Sequence, residues 1–145
     1  ELHRDISGAP IETLLADRDA ALAAILVLDQ FARNMFRGKP ESFATDAKAL
    51  DLARRAIELG YDDRDLPVDW RVFFYLPFEH SEELADQHRA VELISALGHA
   101  EYTRYAIAHL DVIERFGRFP HRNAILGRKS TADEEAYLAE PGSGF

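Results

Sequence analysis

The chain has 145 residues, with 26 acidic and 17 basic side chains, a formal net charge of −9, six histidines and no cysteine. This length is typical of one domain, and a hydrophobic fraction of 47% is enough for a sizeable core. The absence of cysteine excludes a disulfide scaffold, a cysteine-ligated zinc site and a thiol nucleophile. The negative net charge argues against DNA as a partner, because phosphates would be repelled overall.

The longest uninterrupted apolar run, Ala20 to Leu28, has nine residues, whereas a membrane-spanning helix needs about 20. No basic and apolar leader precedes this run. We therefore predict one globular domain over residues 1–145, located in the cytoplasm and without a membrane partner. Residues 141–145, which begin Pro-Gly-Ser-Gly, are predicted to form a tail.

The spacing of apolar residues predicts about six helices. A Gly8-Ala9-Pro10 turn precedes the first clear helical pattern, which begins at Asp17 and ends before the loop Arg37–Pro40. Four further helices are predicted over residues 45–59, 68–76, 81–97 and 100–116, and a short sixth helix begins at Ser130-Thr131. Thr45 and Ser81 are the expected N-caps of the second and fourth helices, and Pro77 is expected to end or kink the third.

A β-strand over Val72–Leu76 is the alternative for the third helix, but the sequence contains no second strand to pair with it. The prediction is therefore an all-α domain without a sheet, built from stacked antiparallel helical hairpins. The expected caps Thr45 and Ser81 lie 36 residues apart, close to the tetratricopeptide period of about 34. This interval indicates a tetratricopeptide-like array.

The segment from Arg115 to Lys129 contains five cations, one histidine and no acid in a chain that is acidic overall. Such segregation produces a local positive field and favours an anion site. Alternatively, cations near the end of a helix offset its dipole, or they pair with carboxylates of neighbouring helices. The candidate ligand-binding residues of this segment are Arg115, Arg118, His121, Arg122 and Asn123.

A second polar cluster lies at the end of the first predicted helix. Arg33 follows Asp29 by four residues, in the order that favours an ion pair on one helix face. A partly buried pair of this kind is usually structural. Arg33, together with Asn34 and Arg37 at the helix end, is nevertheless a candidate for a polar pocket.

A third cluster surrounds Glu79 and His80, whose side chains could orient a ligand or transfer protons. A metal site would combine them with Glu83, or His80 with His88, but neither set matches a known metal motif. We therefore predict no metal and no other cofactor. His109, on an apolar helix face, is expected to be a hydrogen-bonded core histidine.

Four segments together resemble the bacterial domain-of-unknown-function family 924, and the resemblance extends over nearly the whole chain. These segments are Leu28–Gly38, Phe43–Asp46, Tyr75–Glu82 and Arg115–Arg128. The resemblance implies a tetratricopeptide-like array of helices and no particular reaction. Members of the family usually carry an additional N-terminal segment, so this chain, which starts at Glu1, is expected to lack one. Ala32 stands where the family pattern has proline, which predicts a more regular helix.

The three polar clusters coincide with the segments that carry the resemblance, and we expect them to converge on one concave pocket. Its lining is predicted to comprise Arg33, Asn34, Arg37, Glu79, His80, Arg115, Arg118, His121, Arg122 and Asn123. The leading hypothesis is binding of a small anionic ligand or an acidic peptide terminus, held by Arg118 and Arg122. The first alternative is a hydrolase-like or transferase-like enzyme with Glu79 or His80 as the general base. The second is a structural module for protein interaction.

Overall fold

The computed structural model describes residues 1–145 and contains helices and loops but no β-strand. The all-α prediction is confirmed, and the alternative strand over Val72–Leu76 is wrong, because these residues lie inside a helix. The chain forms eight helices rather than about six. Two short N-terminal helices account for the difference: α1 (Leu2–Gly8) and α2 (Ile11–Leu14).

Helix α3 is continuous from Arg18 to Met35 but changes its winding along its length. It is α-helical over Arg18–Ile25, π-helical over Leu26–Phe31 and α-helical again over Ala32–Met35. The later helices are α4 (Asp46–Glu58), α5 (Val68–Glu79), α6 (Leu84–Ser95), α7 (Ala100–Phe116) and α8 (Ala132–Leu138). Short 3₁₀ turns at Pro40–Ser42 and Pro120–Arg122 lie in the loops after α3 and α7.

From α3 to α7, each helix packs against the next one in the chain. Helix α4 illustrates why, since Ala49, Leu52, Ala53 and Ala56 are fully buried at three- and four-residue spacing on one face. Small alanines on that face allow close approach of the neighbouring helices. The tetratricopeptide-like repeat stays a prediction. None of the helices combines the length and the apolar character that crossing a bilayer requires.

The π-helical turn in α3 corrects the expectation that Ala32 makes this helix regular. The widened turn immediately precedes Ala32, so the absence of proline does not restore α-helical winding. Thr45 donates a hydrogen bond from its hydroxyl to the Leu28 carbonyl inside the turn, at 2.6 Å. Although Thr45 occupies the N-cap position of α4, its side chain makes no capping bond there. The turn places Asp29 in a buried position.

Two predicted helix boundaries on either side of His80 are also wrong. Helix α5 continues through Pro77 to Glu79, and the fixed φ of proline, about −65°, lies in the helical range. His80 therefore becomes the C-cap residue of α5. Helix α6 begins at Leu84, with Glu83 rather than Ser81 as its N-cap. The Ser81 hydroxyl instead donates to the Asp86 carboxylate at 2.7 Å.

Candidate functional site

A cavity of about 540 Å³ opens where the end of α3, the end of α5 and the loop after α7 meet. Its volume falls within the range of small-molecule sites, about 300–1,000 Å³. The charged and titratable side chains of its lining are three arginines and three histidines, with no carboxylate. The lining comprises Arg33, Asn34, Arg37, Gly38, Ser42, Phe43, His80, His109, Phe119, His121, Arg122, Ile125 and Phe145.

Six of the ten residues predicted from the sequence line this cavity. They are Arg33, Asn34, Arg37, His80, His121 and Arg122. Glu79 does not line it, although its carboxylate lies close to His80 and His109 beside the cavity. Arg115, Arg118 and Asn123 lie elsewhere. The structure therefore brings together parts of all three sequence clusters and leaves out three of the five residues predicted in the most basic one.

Arg115, Arg118 and Asn123, which do not line the cavity, make contacts within the protein instead. Arg118 donates from Nε and Nη2 to the two carboxylate oxygens of Glu134 on α8, at 2.7 and 2.8 Å. Asn123 is buried and donates to Glu134 and to Ser130. Arg115 lies over the Phe116 ring, 4.6 Å from its centroid. The predicted anion-holding role of Arg118 does not fit this placement, because the guanidinium already forms a salt bridge with Glu134 on α8.

Asp29 is the hub of a buried network behind the cavity wall. It is 1% exposed, and its carboxylate accepts hydrogen bonds from Gln30, Arg33 and His80 Nδ1, the last at 2.7 Å. Burial alone would raise the pKa of Asp29, but the charge and hydrogen bond of His80, with Arg33 and Gln30, lower it to about 2. Arg33 also forms a two-pronged pair with Asp46 at 2.8 and 2.9 Å. Two carboxylates thus neutralise Arg33.

Arg122 is buried in the cavity wall and, unlike Arg33, has no carboxylate within hydrogen-bond distance. Its guanidinium lies between the rings of Phe43 and Phe119, 4.6 Å from each centroid. Its Nη2 donates to the His80 carbonyl at 2.8 Å, and its Nη1 lies 3.7 Å from the Asp46 carboxylate. Its Nε has no hydrogen-bond partner. Burial lowers the pKa of Arg122 to about 10, so the side chain keeps its positive charge at neutral pH.

Two of the three histidines in the lining are neutral at pH 7. Burial lowers the pKa of His109 to about 3, and burial together with the charge of Arg122 lowers that of His121 to about 4. His109 donates from Nδ1 to the Tyr105 carbonyl at 2.7 Å, and the ring of Phe145 stacks on it with centroids 3.6 Å apart. His109 is buried as expected, yet it also lines the cavity, which its apolar sequence neighbours did not indicate.

Glu79 is the buried carboxylate with the fewest partners near the site. It is 4% exposed, and its Oε2 lies 3.9 Å from His109 Nδ1. Burial, together with the negative charge of Asp29, raises the pKa of Glu79 to about 8.

Comparisons with known proteins identify relatives of this chain, but none of these relatives has a known activity. Residues 1–142 match the model of a family described as bacterial protein of unknown function, DUF924. A solved structure of a protein of unknown function from Agrobacterium tumefaciens is similar, with 46% identity and a TM-score of 0.84. The similarity covers 89% of this chain and 72% of that one. Among curated proteins, none matches. The chain belongs to the bacterial DUF924 family of proteins of unknown function.

Proposed function

We propose that the cavity binds a small organic anion, with a carboxylate or phosphate group facing Arg122 and Arg37. The observation that carries this proposal is the incomplete pairing of Arg122. A guanidinium has five N–H donors, and in Arg122 only Nη2 makes a hydrogen bond within the protein. A buried cation with unused donors beside a cavity matches the forked geometry that carboxylate and phosphate groups prefer.

The pairing of the other arginines separates binding roles from structural ones. Arg33 is neutralised by Asp29 and Asp46, as expected for a structural residue. Arg37 is exposed at the opening of the cavity, and its side chain bonds only to Asn34 Oδ1, at 3.5 Å. Unneutralised positive charge therefore remains at the cavity in an otherwise acidic chain, which favours a negatively charged ligand.

The cavity walls indicate the chemical character of the part of the ligand that does not carry the negative charge. The rings of Phe43, Phe119 and Phe145 all line the cavity. Aromatic surfaces favour a ligand with an apolar or planar skeleton. An acidic peptide terminus presents the same carboxylate and belongs to the same chemical class.

Binding is better supported than catalysis or a purely structural role. Ser42, the hydroxyl side chain in the lining, donates to the carbonyls of Phe36 and Lys39 and is not positioned as a nucleophile. A structural module would have its arginines paired, as Arg118 and Arg128 are with Glu134 and Glu82. Arg37 has no carboxylate partner, and Arg122 has only a long contact of 3.7 Å with Asp46. The consecutive packing of α3 to α7 supports a tetratricopeptide-like array as the scaffold.

Thermal-shift screening followed by calorimetry tests this proposal. The panel contains phosphate, pyrophosphate, mono- and dicarboxylates, nucleotides and short acidic peptides. A ligand at 100 times its Kd raises the free energy of unfolding by about 2.7 kcal/mol. We expect Arg37→Ala, at an exposed position, to weaken binding at least about tenfold, the loss of one charge-assisted hydrogen bond.

The matched control is Arg104→Ala, which removes an exposed arginine on α7 outside the cavity. It should leave the affinity unchanged, whereas added salt should weaken binding to the unaltered chain. If no panel member stabilises the protein, or if Arg37→Ala and Arg122→Gln bind as well as the unaltered chain, the anion proposal is wrong.

A further inference from the structure

Glu79, His80 and His109 form a cluster of metal-binding side chains beside the cavity. One ligand atom from each of them lies within 4.8 Å of the others. Glu79 and His80 are at the end of α5, while His109 comes from the third turn of α7. Two imidazoles and one carboxylate are a common ligand set of zinc sites with an open coordination position. The cluster is independent of the anion proposal, because it uses neither Arg37 nor Arg122.

Both imidazole rings are fixed by a hydrogen bond at Nδ1. His80 donates from Nδ1 to the buried Asp29 carboxylate, and His109 donates from Nδ1 to the Tyr105 carbonyl. Each bond engages Nδ1 and leaves Nε2 of the ring without a hydrogen-bond partner in the protein. Metal-binding histidines almost always have this outer contact, to a carboxylate or a backbone carbonyl.

Glu79 supplies a second, independent indication of a cation. Its side chain is buried, makes no hydrogen bond within the protein, and has no arginine or lysine within ion-pair distance. The protein therefore supplies no cation that would stabilise the ionised form of this carboxyl group, and coordination of a metal ion is the other way in which a buried carboxylate becomes ionised. The other buried carboxylates near the site, Asp29 and Glu134, each have an arginine partner.

We propose that Glu79, His80 and His109 bind one divalent transition-metal ion of the zinc class. Imidazole nitrogen with carboxylate oxygen suits zinc and its neighbours, whereas calcium and magnesium prefer oxygen ligands alone. Ligands at about 2.1 Å from a tetrahedral ion lie about 3.4 Å apart, so the three side chains have to move closer together on binding. His80 and His109 both line the cavity, so the open coordination position faces it.

Calorimetry on the chelator-treated full chain with zinc chloride tests the site, in a buffer free of phosphate and carboxylates. The expected result is one ion per chain with a Kd of about 1 μM or tighter, and no comparable binding of magnesium. Cobalt(II) should give visible absorption bands of four- or five-coordinate geometry. Glu79→Gln keeps the side-chain shape and should weaken zinc binding by at least about 10- to 100-fold, the range for loss of a group that only supports a metal ligand.

The matched controls are Glu83→Gln and His88→Gln, which alter exposed residues of the same types nearby and should bind zinc like the unaltered chain. His109→Gln is a second test at the buried position, with circular dichroism to verify folding. A Kd above about 100 μM for both zinc and cobalt overturns the proposal. So does equal binding by Glu79→Gln and the unaltered chain. Arg37→Ala should still bind zinc, which separates failure of this site from failure of the anion proposal.

Discussion

Asp29 Oδ1 lies 2.7 Å from His80 Nδ1, although 51 positions separate the two residues in the sequence. The bond joins the π-helical turn of α3 to the C-cap of α5. It fixes which nitrogen of His80 faces the cavity, and it connects the buried ion pairs of Arg33 to the histidine cluster. This contact therefore joins the part of the candidate site on α3 to the part on α5. π-helical turns occur frequently at functional sites.

Asp29→Asn should destabilise the fold by about 2–4 kcal/mol. The substitution removes the charge that holds Arg33 and His80 in a buried setting, and breaking a buried pair leaves its partners uncompensated. Urea denaturation monitored by circular dichroism measures the change. Asp51→Asn, an exposed aspartate on α4, is the matched control and should change stability by less than about 0.5 kcal/mol. Equal stability of the two variants would contradict the hub role of Asp29.

Arg118→Ala should weaken the fold while leaving ligand affinity unchanged. The guanidinium bonds both carboxylate oxygens of Glu134 and the Lys129 carbonyl, so its loss leaves Glu134 buried without its main partner. We expect a loss of stability, because the Glu134 carboxylate loses its counter-ion. Denaturation gives the stability, and calorimetry with any anion found by screening gives the affinity. If the variant folds but no longer binds the anion, Arg118 belongs to the binding site and this prediction is wrong.

Acid should destabilise the protein partly through Glu134. Hydrogen bonding to Arg118, aided by Thr131 and Asn123, lowers the pKa of Glu134 from 4.5 to about 2. A carboxyl whose folded pKa is depressed contributes stability above its unfolded pKa and loses it as pH falls through the folded value. The contribution is therefore complete above about pH 4.5 and disappears toward pH 2.

Denaturation at pH 5 and at pH 3 tests this dependence. Glu134→Gln should lose less stability between these two pH values than the unaltered chain, although it starts from a lower value. Glu135→Gln, at the exposed neighbouring position, should follow the unaltered chain. If Glu134→Gln shows the same decline as the unaltered chain, the titration of other groups causes it.

Thr45→Val should destabilise the π-helical turn by about 1 kcal/mol. The hydroxyl of Thr45 donates to the Leu28 carbonyl, and valine keeps the shape while removing the donor. Thr13→Val, at an exposed position whose side chain makes no hydrogen bond, should stay within about 0.5 kcal/mol. Hydrogen exchange of the α3 amides shows whether the loss is local. Unchanged exchange in that turn would mean that Thr45 does not stabilise it.

Helix positions were more predictable than helix ends. Helical periodicity correctly predicted α7 over Ala100–Phe116, because its apolar face is long and Gly117 adopts the left-handed conformation that ends it, at φ 71°. The predicted end of α5 was wrong because the helix continues past Pro77, whose fixed φ is compatible with helical dihedrals. Nothing in the sequence indicated the π-helical turn in α3. This turn is accompanied by a hydrogen bond from Thr45, at the start of the next helix.

By itself, the sequence determined the all-α class, the family segments and the concentration of cations after α7, because periodicity, motifs and composition are local properties. Only the tertiary structure decided which cations are neutralised. Arg33 pairs with Asp46 and Arg118 with Glu134, 13 and 16 positions away, and Arg122 remains partly unpaired. The tertiary structure also places the side chain of His109 close to those of Glu79 and His80. Coulomb interactions and desolvation depend on distance and burial, which follow from helix packing rather than from spacing along the chain.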